Sequence, residues 1–294
     1  MSSPRSVGVI GLGTMGGAMA ANLIDRGFEV TGFDIDQGAC DKLAGLGGWI
    51  AGSANDVLKA APIVITSLPS PDALVRVATD AGELQSASPV VIETSTLTLE
   101  DKLKAFGLFE NAGMALLDCP MSGTGAQAVV RDLVVFVSGD EGASDKCAEV
   151  FEAISRGRHY LGAFGNGSRM KFVANILVAN HNVAAAEAMV LGMKSGLDAQ
   201  VIYDVISNSA GSSRMFEIRG PMMVADDYDG ATMKMDLFQK DLNIIREFAC
   251  NLEVEVPLFD AGVKIYDRGL AEGRDKQDTA SVCGVLADMA GLKR

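Results

Sequence analysis

A short apolar strand that runs straight into three closely spaced glycines constrains this chain more than any other feature. The run is Val7-Gly8-Val9-Ile10-Gly11-Leu12-Gly13-Thr14-Met15-Gly16, and a helical pattern, Met15 to Arg26, follows at once. In a strand–turn–helix unit the first glycine, Gly11, permits the tight turn. Gly13 lets the backbone approach a pyrophosphate, and Gly16 lets the helix pack close to the sheet. The new helix then offers unpaired N–H groups and its positive dipole end to an anion. Glycine clusters also make ordinary turns, so the spacing needs context. Here an acidic residue, Asp34, ends the next strand 18 positions beyond Gly16, close to the gap of about 20 at which a carboxylate meets a ribose. Gly11, Leu12, Gly13, Thr14, Met15, Gly16 and Asp34 are therefore the expected dinucleotide contacts. A carboxylate accepts from the ribose hydroxyls of NAD but repels the 2′-phosphate of NADP, and no Lys or Arg lies between Asp34 and Asp41. NAD is the expected cofactor.

From residue 5 to about 163, short apolar runs alternate with amphipathic stretches. Candidate strands are Ser6–Ile10, Glu29–Phe33, Ile63–Ser67, Val90–Glu93, Ala115–Asp118 and Leu133–Ser138, several of them apolar throughout. That pattern predicts a mainly parallel sheet covered on both faces by helices such as Met15–Arg26 and Leu99–Asn111. After Gly162 the texture changes. Gly165-Asn166-Gly167-Ser168 reads as a turn and an N-cap, and Met170–Lys194 as a helix apolar nearly all round. Such a helix must be covered by neighbours or by another subunit, so a homodimer or homotetramer through the helical half is expected. Ala199–Ser207, Met233–Leu252 and Pro257–Ala271 also carry helical periodicity. The division expected is an α/β domain over 1–163 and an all-α domain over 164–294.

Composition narrows the functions. The 294 residues carry 25 Lys+Arg against 38 Asp+Glu, a net charge of −13. That balance disfavours nucleic acid and anionic membrane surfaces as partners, and no apolar run approaches the roughly 20 residues that cross a bilayer. Met1-Ser2-Ser3-Pro4-Arg5 leads straight into the first strand, and no signal peptide is expected. Cys40, Cys119, Cys147, Cys250 and Cys283 are scattered, odd in number and without a CxxC pair, which reads as thiols in a reducing cytoplasm. With only His159 and His181 present, no metal site is expected. An anionic substrate would need a local cationic pocket.

The opening Gly11–Leu23, followed by Gly27-Phe28-Glu29-Val30, resembles the β-hydroxyacid dehydrogenase family, whose members include 3-hydroxyisobutyrate, tartronate semialdehyde and threonate-type dehydrogenases, with imine reductases as relatives. The resemblance runs along nearly the whole chain. It implies a Rossmann NAD-binding domain, then an all-α substrate and dimerisation domain led by a long interdomain helix. Leu68-Pro69 and Glu93-Thr94-Ser95-Thr96 resemble further cofactor-contacting turns, with Leu68, Pro69 and Thr96 as contacts; Pro69 also reads as a simple strand-ending proline. The family usually has Asp where Glu93 stands, a change expected to be minor. Asp118-Cys119-Pro120-Met121-Ser122-Gly123-Thr124 is similar to the substrate motif D-x-P-V-S-G-G, which implies that Ser122, Gly123 and Thr124 hold a carboxylate. Thr124 replaces the usual second glycine and would narrow the pocket.

Gly165–Asn175 resembles the catalytic segment G-x-G-x-x-x-K-x-x-N-N, with Ala174 where the family has Asn. Lys171 and Asn175 are four apart and share a helix face. Phe238-Gln239-Lys240-Asp241-Leu242 resembles the K-D-L helix, whose lysine meets both substrate and nicotinamide; Lys240 is its counterpart. Ser212 and Arg214, in Ser209–Phe216, fall where the family contributes substrate contacts and look closest to the threonate branch; they also read as a plain helix-connecting turn.

The expected reaction is NAD-dependent oxidation of a small 3-hydroxy acid, or its reverse, with Lys171 as general acid/base and Asn175 orienting the hydroxyl or the ammonium. Partial burial and Lys240 would lower the lysine from its reference of about 10.4 toward a useful range. The alternatives are an NADPH-dependent imine reductase, disfavoured by Lys171 and Asp34, and a non-catalytic dinucleotide-binding scaffold, disfavoured by Lys171.

Overall fold

The computed structural model describes residues 5–84 and 88–294. The chain divides into two compact units, 1–171 and 172–294.

The first unit opens with strand β1 (Ser6–Ile10), helix α1 (Thr14–Asp25), β2 (Glu29–Phe33), α2 (Gln37–Gly45), β3 (Trp49–Ile50) and α3 (Ala54–Ala60). It continues through β4 (Ile63–Thr66), α4 (Pro71–Ala81), β5 (Val90–Glu93), α5 (Leu99–Asn111) and β6 (Ala115–Asp118). Among the described residues these six strands form one parallel sheet in the order β3-β2-β1-β4-β5-β6. Strands buried on both faces explain the continuous apolar runs Val64–Ile65 and Val90–Ile92. The order reverses between β1 and β4, and ligands of open α/β sheets bind at such a switch point.

Three shorter strands, β7 (Met121–Ser122), β8 (Val134–Val137) and β9 (Gly157–Tyr160), form a second sheet. Helices α6 (Gly125–Val129), α7 (Glu141–Lys146) and α8 (Ala148–Ile154) connect them.

Helix α9 (Asn166–Lys194) runs through the boundary between the units. It already includes Gly167 and Ser168, where the sequence predicts a turn and a cap. Ser168 does not cap locally: its side chain and N–H both donate to Asp118, and this tertiary cap lets the helix start earlier. By length and mean hydropathy α9 could cross a membrane. In the helical unit, however, it is a core helix, with Phe172, Ala179, Val183, Ala186 and Met189 buried. Its Asn182 donates to the Tyr266 hydroxyl and the Thr279 carbonyl.

The helical unit adds α10 (Ala199–Ser207), α11 (Arg214–Ala225), α12 (Met235–Asn251), α13 (Pro257–Ala271), a 3-10 turn at Thr279–Ser281 and α14 (Val282–Met289). The fold is the expected one, a Rossmann-like α/β half followed by an all-α half.

Candidate active site

Two of the three turn glycines are demanded by packing. Gly11 has φ +90°, and a Cβ there would lie 2.2 Å from the Ser67 carbonyl oxygen. A Cβ on Gly16 would lie 1.8 Å from the Gly11 carbonyl oxygen. Gly13 differs: nothing lies within 4 Å of where its Cβ would be. That open space adjoins the start of α1, which has neither a side-chain cap nor an acidic residue in its first turn. By contrast α2, α3, α4 and α5 are capped by Asp36, Ser53, Ser70 and Thr98. Uncapped N–H groups beside an open cradle suit a pyrophosphate. Asp34 is fixed beside this turn, its carboxylate accepting the Leu12 N–H at 2.6 Å and the Asp36 N–H at 2.8 Å. The residues present fit a dinucleotide.

Other loops gather at the same strand ends. The Leu68 N–H donates to Ser95 Oγ at 2.8 Å, which ties the loop holding Leu68 and Pro69 to the loop holding Thr96. Ser67 and Leu68 line Gly11 directly. From the other side a Cβ on Gly125 would meet Thr14 at 2.5 Å, so the Ser122–Thr124 turn sits against the start of α1. Gly123 has φ +138°, and a Cβ there would overlap Leu133. Thr124 is the N-cap residue of α6; its N–H, at 3.0 Å, and its hydroxyl, at 3.4 Å, both donate to Gln127 Oε1. Both donors are thereby engaged within the turn.

Lys171 is 8% exposed, and its Nζ donates to the Met121 carbonyl at 2.7 Å. The ammonium therefore lies one residue from the Ser122-Gly123 turn. Beneath it is a cluster that the sequence reading missed. Glu93 and Asp118 are register partners at the ends of β5 and β6. Lys102 of α5 bridges them, its Nζ 2.6 Å from Glu93 Oε2 and 2.7 Å from Asp118 Oδ1, with all three side chains wholly buried. Burial alone would push the Lys102 ammonium down. The Asp118 and Glu93 carboxylates more than reverse that and hold it protonated above the ordinary lysine range. The Glu93 carboxylate completes a buried ion cluster with Lys102 and Asp118. The available signal was Lys102 itself, on the same buried stripe of α5 as Ala105 and Phe109.

In the helical unit Asn175 is buried and its Nδ2 donates to Asp241 Oδ2 at 3.1 Å. Lys240 Nζ lies 3.3 Å from Asp241 Oδ1. Asp241, quoted only as part of the K-D-L motif, therefore links the two expected site residues. Ser212 and Arg214 sit at the start of α11 and both engage Glu217, at 3.4 and 3.2 Å.

Residues 6–164 match a family model described as the NAD binding domain of 6-phosphogluconate dehydrogenase. Residues 165–286 match one described as the NAD-binding domain of NADP-dependent 3-hydroxyisobutyrate dehydrogenase. The NAD-dependent L-serine dehydrogenase of Pseudomonas aeruginosa is 32% identical, over 95% of this chain and 96% of that protein. This chain belongs to the β-hydroxyacid dehydrogenase family. Among its β-hydroxyacid dehydrogenase relatives is an L-threonate dehydrogenase of Cupriavidus necator, 31% identical over 96% of each chain. The solved structure of Mycobacterium tuberculosis 3-hydroxyisobutyrate dehydrogenase with L-serine superposes with a TM-score of 0.88, at 29% identity, over 97% of this chain and 99% of that one. As a β-hydroxyacid dehydrogenase the protein is an oxidoreductase acting on hydroxy acids, with an NAD(P)-binding domain.

Proposed function

We propose that this β-hydroxyacid dehydrogenase uses NAD to oxidise a small 3-hydroxy acid, with Lys171 as the general acid/base. The observation that carries the reading is the Lys171 ammonium held on the Met121 carbonyl beside Ser122-Gly123. When bound, the dinucleotide supplies the hydride acceptor at nicotinamide C4. In the oxidation Lys171 acts as the neutral amine, taking the proton from the substrate hydroxyl to become the ammonium; in the reverse direction the ammonium returns it. The Ser122 hydroxyl and the Gly123 N–H hold the substrate carboxylate, while Thr124 caps α6 and shapes that turn. Asn175, steadied by Asp241, orients the hydroxyl or the ammonium, and Lys240 adds a second cation. Ser212 and Arg214 select among the substrates' remaining polar groups.

Gly11–Gly16, Leu68, Pro69, Thr96 and Lys240 are the cofactor contacts in this reading, and Asp34 makes the choice of NAD over NADP. Residues 1–163 bind the cofactor; residues 164–294 serve substrate binding and assembly. Met170, Val173, Leu177 and Leu191 are exposed along one face of α9, and a second copy of this chain covers that face in a dimer or tetramer. The free thiols suit a cytoplasmic protein.

The test is absorbance at 340 nm with L-serine, L-threonate and 3-hydroxyisobutyrate, each offered with NAD and with NADP. NADH formation with one of these acids is expected. Turnover of none, or turnover confined to NADP, overturns the reading.

A further inference from the structure

We propose that Asp118 is the positioning residue for Lys171, fixing the first turn of α9 so that the ammonium stays beside the Ser122-Gly123 turn. The inference rests on the reading of Lys171 as the acid/base and adds what holds it there.

Asp118 is fully buried at the end of β6. Its Oδ2 accepts the Ser168 N–H at 2.7 Å and the Ser138 hydroxyl at 3.3 Å. Its Oδ1 accepts the Ser168 hydroxyl at 2.8 Å and the Lys102 ammonium at 2.7 Å. Ser138 Oγ in turn accepts the Gly167 N–H at 2.9 Å. Two of the N–H groups that a helix start leaves without an intrahelical partner are thus satisfied, one by the Asp118 carboxylate and one by the Ser138 hydroxyl that donates to it. Negative charge at that end also favours the helix dipole.

The approach is close enough to require Gly167. A Cβ there would meet the Phe136 carbonyl oxygen at 2.5 Å and the Asp118 carbonyl oxygen at 2.7 Å. Ser168 and Lys171 are three apart on the helix and share a side. Asp118 and Met121 are likewise three apart, so one short segment grips the helix start and the ammonium together. The chemistry of the grip is specific. Ser168 N–H, Ser168 O–H and Lys102 are all donors, and only an ionised carboxylate has acceptor sites for all three. An amide at this position offers one oxygen and turns an NH2 group toward a donor.

The experiment compares Asp118→Asn, Ser168→Ala and Lys171→Ala in the full chain. NAD affinity and the number of binding sites come from calorimetric titration, folding from thermal melting, and kcat and KM from L-serine and L-threonate assays at saturating NAD. Because a 1 Å misplacement costs about 100-fold, kcat per NAD-binding site should fall about 10-fold in Ser168→Ala and about 100-fold in Asp118→Asn. NAD affinity and KM for the acid should stay within about threefold of wild type in both, well under that loss. A merely structural role would lower the number of NAD-binding sites but not kcat per site. Should Asp118→Asn fail to fold, Ser168→Ala, which removes one donor and no charge, decides alone. Wild-type kcat per site in Ser168→Ala, or a rise in KM without a fall in kcat, overturns the proposal. If Lys171→Ala keeps wild-type kcat, the catalytic reading itself falls. If Lys171→Ala is inactive while the other two are unimpaired, only the positioning falls.

Discussion

The two glycines at the start of α1 face opposite surroundings, so alanine at each should fail in a different way. At Gly16 the added carbon would lie 1.8 Å from the Gly11 carbonyl oxygen and 3.3 Å from Ser67 Cβ. The first obstacle is backbone, which no rotamer change can relieve. Helix propensity returns at most about 1 kcal/mol for Gly→Ala, whereas forced overpacking costs about 1–3 kcal/mol or more. Gly16→Ala should therefore melt several degrees lower, at about 2–4 °C per kcal/mol for a unit of this size, and should bind NAD weakly because the turn itself is displaced. At Gly13 nothing stands in the way, and φ is −61°, which alanine adopts freely. Losing glycine at an N-cap costs about 1 kcal/mol, so the ligand-free melting temperature should change by only a few degrees. The methyl group, however, fills the cradle and holds phosphate off the backbone N–H groups. NAD affinity should drop at least about 10-fold, or about 1.4 kcal/mol. Thermal melting with and without NAD separates the cases, since a ligand bound to the native state raises the midpoint by mass action. The expected result is a near-normal Gly13→Ala whose NAD-induced shift is reduced and a Gly16→Ala that is already destabilised. Wild-type NAD affinity in Gly13→Ala would refute the cradle, and a wild-type melting point in Gly16→Ala would refute the packing argument.

Lys171→Ala should keep NAD affinity in calorimetry and lose about 10²–10⁴ in kcat; an unchanged kcat removes Lys171 from the chemistry. Asp34→Asn keeps an acceptor for the Leu12 N–H but removes the charge, so the ratio of kcat/KM with NADP to that with NAD should rise at least about 10-fold, and a constant ratio refutes the assignment. Lys102→Met strands two buried carboxylates and should cost about 3–5 kcal/mol in urea unfolding. In the wild type the Lys102 ammonium titrates higher folded than unfolded, so its stabilisation is complete below about pH 10 and is lost only in strong alkali. A Lys102→Met variant as stable as the wild type contradicts the cluster. Leu177→Glu with Leu191→Glu should convert the assembly to monomer in sedimentation velocity, and a wild type that already sediments as a monomer refutes the α9 interface.

Strands whose own residues show their burial were readable one by one. Ser6–Ile10, Glu29–Phe33, Val90–Glu93 and Ala115–Asp118 match the sequence reading to the residue. Trp49–Ile50 was not readable, because both side chains are exposed at the sheet edge. Gly157–Tyr160 is mostly exposed, and Met121–Ser122 spans only two residues. The start of α9 misled for a different reason. Gly-Asn-Gly-Ser is a turn signal when only neighbours along the chain count. It becomes helix here because Asp118, fifty residues earlier, accepts both Ser168 donors.

The same distinction separates the two kinds of candidate site residue. The glycine turn and the Lys171/Asn175 pair carry their geometry in local spacing, so a strand–turn–helix or an i,i+4 rule finds them. Glu93, Lys102, Asp118 and Ser168 form a unit only after β5 and β6 lie side by side in register. Even so, one half of that cluster was open to deduction. A lysine on a helix stripe that packs against a sheet must either reach water or meet negative charge, because an unpaired ammonium in the interior costs several kcal/mol. Lys102 shares its stripe with Ala105 and Phe109 and has no exposure at all. Its partners therefore had to be carboxylates at the strand ends it covers, and VVIE and ALLD are the two runs that end in one.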